Sequence, residues 1–181
     1  MTTIVSIGCS HTHGSKIDGV NGTSIYNKEH AYGPQLAKMH GFKFANLGQP
    51  GGSNQYIFRS TIEFIQNHME PDEEYIFLIG WTSIQRMELR YENHQKYKHE
   101  IRADYLDTKY IPFTVGTDKH LMHTWHHRKL LDYAPLFFDD IQCFDEWASF
   151  AFGLQKIFEK HNLKYIMFNT CQALEKTVNN E

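Results

Sequence analysis

The sequence predicts one α/β domain in three layers, with a central parallel sheet between two layers of helices. Short apolar runs of strand length alternate with segments whose apolar residues recur at helical spacing. One run, from Tyr75 to Gly80, is apolar nearly throughout, which is typical of a strand buried on both faces. The chain has 181 residues, 41% of them hydrophobic, enough for one core. This alternation predicts a parallel, doubly wound sheet.

Four strands and three helices are predicted. The strands are Ile4 to Gly8, Phe42 to Leu47, Tyr75 to Gly80 and Lys164 to Phe168. The helices run from His30 to His40, from a cap at Ser53 or Asn54 to the break at Pro71, and from Asp139 to about His161. Apolar positions from Phe144 to Phe158 have the spacing of a helix that covers a sheet, so we expect them in the core.

A long segment breaks this alternation between about residues 88 and 139. It is polar and rich in aromatic residues and histidine, and Pro112 and Gly116 interrupt any long helix. We interpret it as an insertion or lid on a single domain that spans residues 1–181.

Composition excludes several classes of function. The formal net charge is −3 with no basic stripe, so nucleic acid is not an expected partner. The chain has neither a leader-like amino terminus nor an apolar run long enough to span a membrane, so we expect a soluble cytoplasmic protein. Its three cysteines have no C-x-x-C spacing, which indicates neither a disulfide framework nor a zinc site. We expect no cofactor.

Unusual residues follow three of the four predicted strands. Parallel strands bring their carboxyl ends to one edge of a sheet, where ligands bind. The three segments are Gly8-Cys9-Ser10-His11-Thr12, the run from Asn46 to Asn54 (NLGQPGGSN), and Gly80-Trp81-Thr82-Ser83.

These segments resemble the SGNH (GDSL-type) hydrolases, whose fold is a flavodoxin-like α/β/α sandwich. The resemblance implies that Ser10 is the nucleophile and that the backbone N–H groups of Ser10 and Gly51 hold the oxyanion. Thr82 stands where the family has an asparagine, and Asn54 could assist it. A glycine lets a backbone N–H approach a developing oxyanion closely.

A finer resemblance covers roughly residues 3 to 90. With Trp81-Thr82-Ser83 followed by Arg86 and Glu88, the pattern is most similar to SGNH-like proteins encoded by tailed bacteriophages. It implies a virus-encoded protein in the host cytoplasm. Arg86 could bind an anionic substrate or pair with Glu88. Four residues are expected to bind substrate: His11, Ser53, Trp81 and Arg86.

The chain departs from the family at the general base. The family takes it from an Asp-x-x-His motif after the last strand, and residues 169–181 contain neither Asp nor His. The last strand and its loop also lack a counterpart. Either the chain is a truncated gene product, or the base comes from elsewhere, or there is no hydrolysis. Serine needs an adjacent base to act near neutral pH. The candidate bases are His120, His123 and His126, with His11 and His13 beside Ser10.

Three functions remain open. The first is an esterase or deacylase acting on a small ester, for which the resemblance suggests an O-acetyl group on a carbohydrate. The second is a catalytically impaired protein of the same fold that binds a ligand or partner. The third is a metal-dependent enzyme that uses histidines between His120 and His127, whose spacing suits a transition metal. We expect Cys9 to be a small buried side chain.

Overall fold

The computed structural model describes residues 1–14, 29–90, 110–114 and 139–170. Six strands and four helices lie in these ranges. The strands are β1 (Thr2–Gly8), β2 (Lys43–Gly48), β3 (Glu74–Trp81), β4 (Arg86–Arg90), β5 (Tyr110–Thr114) and β6 (Lys164–Asn169). The helices are α1 (Ser10–His13), α2 (Tyr32–His40), α3 (Asn54–Asn67) and α4 (Asp140–Lys160).

The central sheet has the strand order β2-β1-β3-β6. All three pairings are parallel. Helix α2 covers one face, while α3 and α4 cover the other. The predicted three-layer α/β/α fold with a parallel sheet is therefore confirmed. Three of the four predicted strands fall within the observed ones, and the second was predicted to begin one residue early, at Phe42.

The side chains of β1 alternate between two cores. Val5 and Ile7 are fully buried under α3 and α4, in the larger cluster, which is completed by aromatic residues of β3 and α4. Ile4 points to the other face, where it packs with Ala37 of α2 and Leu78 of β3. A central strand buried on both faces fixes the direction in which its carboxyl end points.

Two helices begin at side-chain caps; the sequence predicted a cap at Ser53 or Asn54 for α3 and a helix start at Asp139 for α4. The Ser53 hydroxyl accepts a hydrogen bond from the Tyr56 N–H at 3.0 Å, so Ser53 caps α3. Asp139 caps α4 by accepting from the Gln142 N–H at 2.7 Å. None of the helices in the described ranges is both long and apolar enough to cross a membrane.

One prediction about α4 was partly wrong. Leu154 and Phe158 are fully buried, as expected, but Phe144 is 42% exposed. In the first turns of the helix, Trp147 packs against the larger core cluster, and the Phe144 ring lies beside Trp147 with ring centres 5.4 Å apart. Phe152, which is not one of the positions predicted to face the core, is 63% exposed.

The segment that breaks the alternation begins with strands that the sequence did not predict. β4 and β5 form a separate antiparallel pair, with Arg86 opposite Thr114 and Arg90 opposite Tyr110. The rest of the predicted insertion, residues 91–109 and 115–138, lies outside the described residues, so its role as a lid stays a prediction.

Polar contacts bind this hairpin to α3. The Arg59 guanidinium donates to both Glu88 carboxylate oxygens, at 3.2 and 3.4 Å, and its carbon lies 3.9 Å from the centre of the Tyr110 ring. The Gln55 side chain accepts from the Glu88 N–H at 3.1 Å. The sequence left open whether Arg86 and Glu88 pair with each other or bind an anionic substrate. Glu88 pairs instead with Arg59, and Arg86 bonds to Thr82.

Candidate active site

Three glycines occupy the same register at the carboxyl ends of adjacent strands. Gly8 of β1 pairs with Gly48 of β2 on one side and with Gly80 of β3 on the other. We call these three residues the glycine row. A Cβ atom on Gly8 would lie 1.9 Å from the Thr12 hydroxyl oxygen, and one on Gly48 would lie 2.4 Å from the His13 nitrogen. Because these three residues have no side chains, α1 can pack directly on the ends of the strands.

Helix α1 is a single turn that begins at Ser10. It is closed by a hydrogen bond from the His13 N–H to the Cys9 carbonyl at 3.0 Å, and it ends at Gly14 in the left-handed conformation. Cys9 makes no side-chain bond that caps the turn. The first N–H groups of a helix have no partner within it. Ser10 thus lies among backbone donors at the end of the central strand.

Ser10 is half-buried, and its hydroxyl makes no hydrogen bond to a described residue. Its neighbour Cys9 is fully buried, with its sulfur 3.4 Å from the Thr170 hydroxyl. The prediction of Cys9 as a small buried side chain is confirmed.

A hydrogen bond between Thr12 and Tyr32 joins α1 to α2. The fully buried Thr12 hydroxyl accepts a hydrogen bond from the Tyr32 hydroxyl at 2.9 Å. Burial raises the pKa of Tyr32 to about 12, outweighing the hydrogen bond with Thr12, which lowers it; nearby Cys9 raises it further. Tyr32 therefore keeps its proton and donates to Thr12 over the physiological pH range.

Gly51 lies in a tight turn between β2 and α3. The Gly52 N–H bonds to the Gln49 carbonyl at 2.9 Å, Pro50 is the second residue of the turn and Gly51, at φ +78°, is the third. These are the features of a type II turn, which requires a positive φ at the third position. The turn alone explains the glycine, and the oxyanion role of Gly51 stays a prediction.

Asn54 joins α3 to the segment after β3. Its side-chain oxygen accepts from the Thr82 N–H at 3.0 Å, and its amide group donates to the Thr82 and Ser83 carbonyls at 3.4 and 3.3 Å. Asn54 is only 4% exposed. This side chain positions the segment after β3, and its proposed contact with an oxyanion would compete with those bonds.

The residues after β3 are also well anchored. The buried Thr82 hydroxyl accepts from the Arg86 guanidinium at 3.0 Å. Trp81 is 3% exposed and packs edge-on against Trp147 in the core. Ser53 is fully buried as the cap of α3. These contacts give Thr82, Trp81, Ser53 and Arg86 structural roles, while their catalytic or substrate-binding roles stay predictions.

Two of the candidate bases, His11 and His13, lie in the described part of the chain, and the other three do not. His11 is exposed on α1, whereas His13 is 5% exposed and makes a contact of its own. His120, His123 and His126 lie in the segment 115–138, outside the described residues. Across the described ranges, no group of three His, Cys, Asp or Glu side chains could hold a metal ion.

A family model described as a family of unknown function, DUF6071, matches residues 15–180. The chain belongs to this family. No curated protein matches the chain. One solved structure with a matching chain is a protein assigned to the G-D-S-L family of lipolytic proteins from Desulfitobacterium hafniense DCB-2, at 13% identity and a TM-score of 0.36. The match covers 92% of this chain and 77% of the other, and its TM-score is too low to bear on activity.

Two site features of this DUF6071 member were not singled out from the sequence. Thr12 stands inside the quoted Gly-x-Ser-x-Thr motif, and its spacing from Gly8 is the signal that could have found it. Tyr32 had no such signal, because its contact with Thr12 joins positions 20 residues apart.

A groove of about 340 Å³ opens beside the end of β2, along α3. Its wall combines hydroxyl, amide, imidazole and charged groups with apolar rings. The lining residues are Leu47, Gln49, Tyr56, Arg59, Ser60, Glu63, Phe64 and His68. The Gln49 N–H bonds to the Gly8 carbonyl at 2.9 Å, so this end of the groove lies beside the strand that leads to Ser10.

Proposed function

We propose that the protein is a serine hydrolase that cleaves a small ester, with Ser10 as the nucleophile. The observation that carries this proposal is the placement of Ser10 at the start of a one-turn helix, on the glycine row at the carboxyl end of the central strand. Its hydroxyl makes no hydrogen bond to a described side chain. A serine at the carboxyl end of a central parallel strand lies where ligands bind in sheets of this kind.

In this proposal the Ser10 oxygen attacks the acyl carbon while a base removes its proton. Backbone N–H groups of Ser10 and Gly51 hold the negative oxygen that develops, and each such donor lowers the barrier by about 3 kcal/mol. The base returns its proton to the leaving alcohol, and water then releases the acyl group. The base is an imidazole, from His120, His123 or His126 or from His11 next to Ser10.

The proposal places the alcohol part of the substrate in the groove along α3, which Ser10 does not line but whose residue Gln49 bonds to the end of β1. Its amide, hydroxyl and carboxylate groups could bond to several hydroxyls of a ligand, and a long aliphatic chain would leave them unpaired. This favours an ester whose alcohol part is rich in hydroxyl groups, such as an O-acetylated carbohydrate.

The test is turnover of p-nitrophenyl acetate by the wild type and by Ser10→Ala. We expect the variant to lose about a thousandfold or more in kcat, because no other group supplies the nucleophile. Ser149→Ala is the matched control, since its hydroxyl bonds only to a carbonyl on the exposed side of α4. Equal turnover by Ser10→Ala and the wild type would exclude Ser10 as nucleophile.

A second function is favoured by other contacts of the same site. The Asn54 side chain is engaged by Thr82 and Ser83, and the Thr82 hydroxyl accepts from Arg86. A pocket with these groups committed to structure suits a protein that binds a ligand without cleaving it. This alternative gains if the wild type turns over no ester yet binds acetylated sugars in calorimetry.

A further inference from the structure

Helix α4 exposes large apolar side chains along its outer face. Ile141 is 74% exposed, Phe144 42% and Phe152 63%, whereas Leu154 and Phe158 of the same helix are fully buried. Apolar side chains grouped on one exposed helix face are typical of an interaction site.

The residues along this face form a row with an internal symmetry. Every fourth position from Asp140 to Lys156 lies on one ridge of the helix. Phe144 and Phe152 stand four residues before and after Ala148, and Asp140 and Lys156, of opposite charge, stand eight before and after it. If the direction of the helix is reversed about Ala148, the position of Phe144 coincides with that of Phe152, and the position of Asp140 coincides with that of Lys156.

This symmetry matches what a two-fold interface requires. In such an interface, when residue i contacts residue j of the second copy, j also contacts i. Two helices whose i±4 ridges interdigitate cross at about −50°, the commonest packing class in globular proteins. A small residue at the crossing point, here Ala148, allows the two helix axes to approach closely.

We propose that two copies of this chain associate through α4, in antiparallel orientation about a two-fold axis at Ala148. Phe144 of each copy packs on Phe152 of the other, and Asp140 of each faces Lys156 of the other. The charge complementarity favours a second copy over other occupants, because both ion pairs form in the same arrangement.

Asp140 and Lys156 already make contacts within the chain, but these contacts can be exchanged for contacts with a second copy. The Lys156 side chain is 56% exposed; on its own helix it pairs with Glu159 at 2.7 Å, and its nitrogen lies 5.5 Å from the centre of the Phe152 ring. The Asp140 carboxylate accepts from the Gln85 side-chain amide at 3.0 Å, in a hydrogen bond exposed to solvent. Exposed contacts of this kind contribute little to stability, so they exchange readily for a contact with the partner.

The dimer rests on one helix face, which is smaller than the roughly 800 Å² per partner of a standard interface. We therefore expect a weak dimer whose population rises with concentration. Sedimentation velocity of the full chain, from micromolar to millimolar concentration, measures it as a doubling of mass. A wild type that stays monomeric throughout contradicts the proposal.

Phe152→Glu tests the apolar part of the surface. We expect this variant to stay monomeric at concentrations at which the wild type is dimeric, because it places a carboxylate between the two helices. Met39→Glu is the matched control, since Met39 is 76% exposed on α2, at the other face of the sheet. Dimerisation of Phe152→Glu at the wild-type level, or equal loss in both variants, contradicts the proposal.

Charge exchange tests the geometry. Asp140→Lys or Lys156→Asp alone replaces two attractive pairs with two repulsive ones, and we expect each to weaken the dimer about tenfold. The double variant restores both attractions and should dimerise as the wild type does. An equimolar mixture of the two single variants should form heterodimers. If neither the double variant nor the mixture dimerises, the antiparallel arrangement is excluded. The same result is expected if residues 115–138 of the same chain, and not a second copy, cover this face.

Discussion

Ser10 follows a strand whose last residue, Gly8, has no side chain, and the space above that glycine belongs to Thr12. The three residues of the glycine row act together, because α1 rests on all of them. The position of the Ser10 hydroxyl at this edge of the sheet thus depends on the glycine row, whose residues have no side chains that could react.

Gly8→Ala should destabilise the protein strongly. The new methyl group would meet the Thr12 oxygen at 1.9 Å and the Gly80 carbonyl oxygen at 2.8 Å, and neither can move away cheaply. We expect a loss of about 3 kcal/mol in the free energy of unfolding, the upper end for overpacking. Urea denaturation measures it.

Gly41→Ala is the control for this change. Gly41 has φ +66° and open space around its Cβ position, so only backbone strain of about 1 kcal/mol is expected. If Gly8→Ala lowers the free energy of unfolding no more than Gly41→Ala does, α1 does not pack on the glycine row as described.

The buried phenol of Tyr32 gives stability a dependence on alkaline pH. Its pKa rises from an ordinary value of 10.0 to about 12 on folding, so the native state holds the proton more tightly than the unfolded chain does. This contribution is complete below pH 10 and disappears as the pH rises through about 12. It amounts to about 3 kcal/mol at most.

Tyr32→Phe checks this prediction through the difference in unfolding free energy between wild type and variant. Below pH 10 we expect a constant difference of about 1 kcal/mol, from the lost hydrogen bond to Thr12. Above pH 10 the wild type should lose stability relative to the variant by about 1.4 kcal/mol per pH unit. A difference that is the same at every pH would show that burial does not perturb this phenol.

At the scale of elements, local signals predicted much of the structure. The strand ends and the cap at Ser53 follow from short-range patterns of apolar, glycine and hydroxyl residues, and the structure confirms them. The β4–β5 pair was missed because its pairing joins positions 20 to 28 residues apart in a polar segment. The partner of Glu88 is Arg59, 29 residues away on α3, which no local pattern indicates.

Asn54→Ala separates a structural role from a catalytic one. The substitution leaves the buried Thr82 N–H without its acceptor, so we expect a loss of about 2 kcal/mol in the free energy of unfolding. Asn67→Ala, at the exposed end of the same helix, should change it by less than about 0.5 kcal/mol. Equal stability of the two variants in chemical denaturation would mean that Asn54 does not position the segment after β3.

At the scale of the whole molecule, the three-layer fold brings the ends of β1, β2 and β3 to one edge. The sequence located this edge correctly, because residues that follow parallel strands meet wherever the strands end together. The sequence did not show which of those residues have side chains engaged in structural contacts. Asn54 and Trp81 are examples, since their contacts with Thr82 and Trp147 depend on packing between distant segments.

The most direct test of the central claim is covalent labelling of Ser10. The full chain is incubated with a fluorophosphonate probe, digested, and examined by mass spectrometry, with Ser10→Ala as control. We predict an adduct on Ser10 alone, because an activated serine hydroxyl attacks phosphorus as it attacks an acyl carbon. An unlabelled wild type, or the same label on Ser10→Ala, would contradict Ser10 as an activated nucleophile.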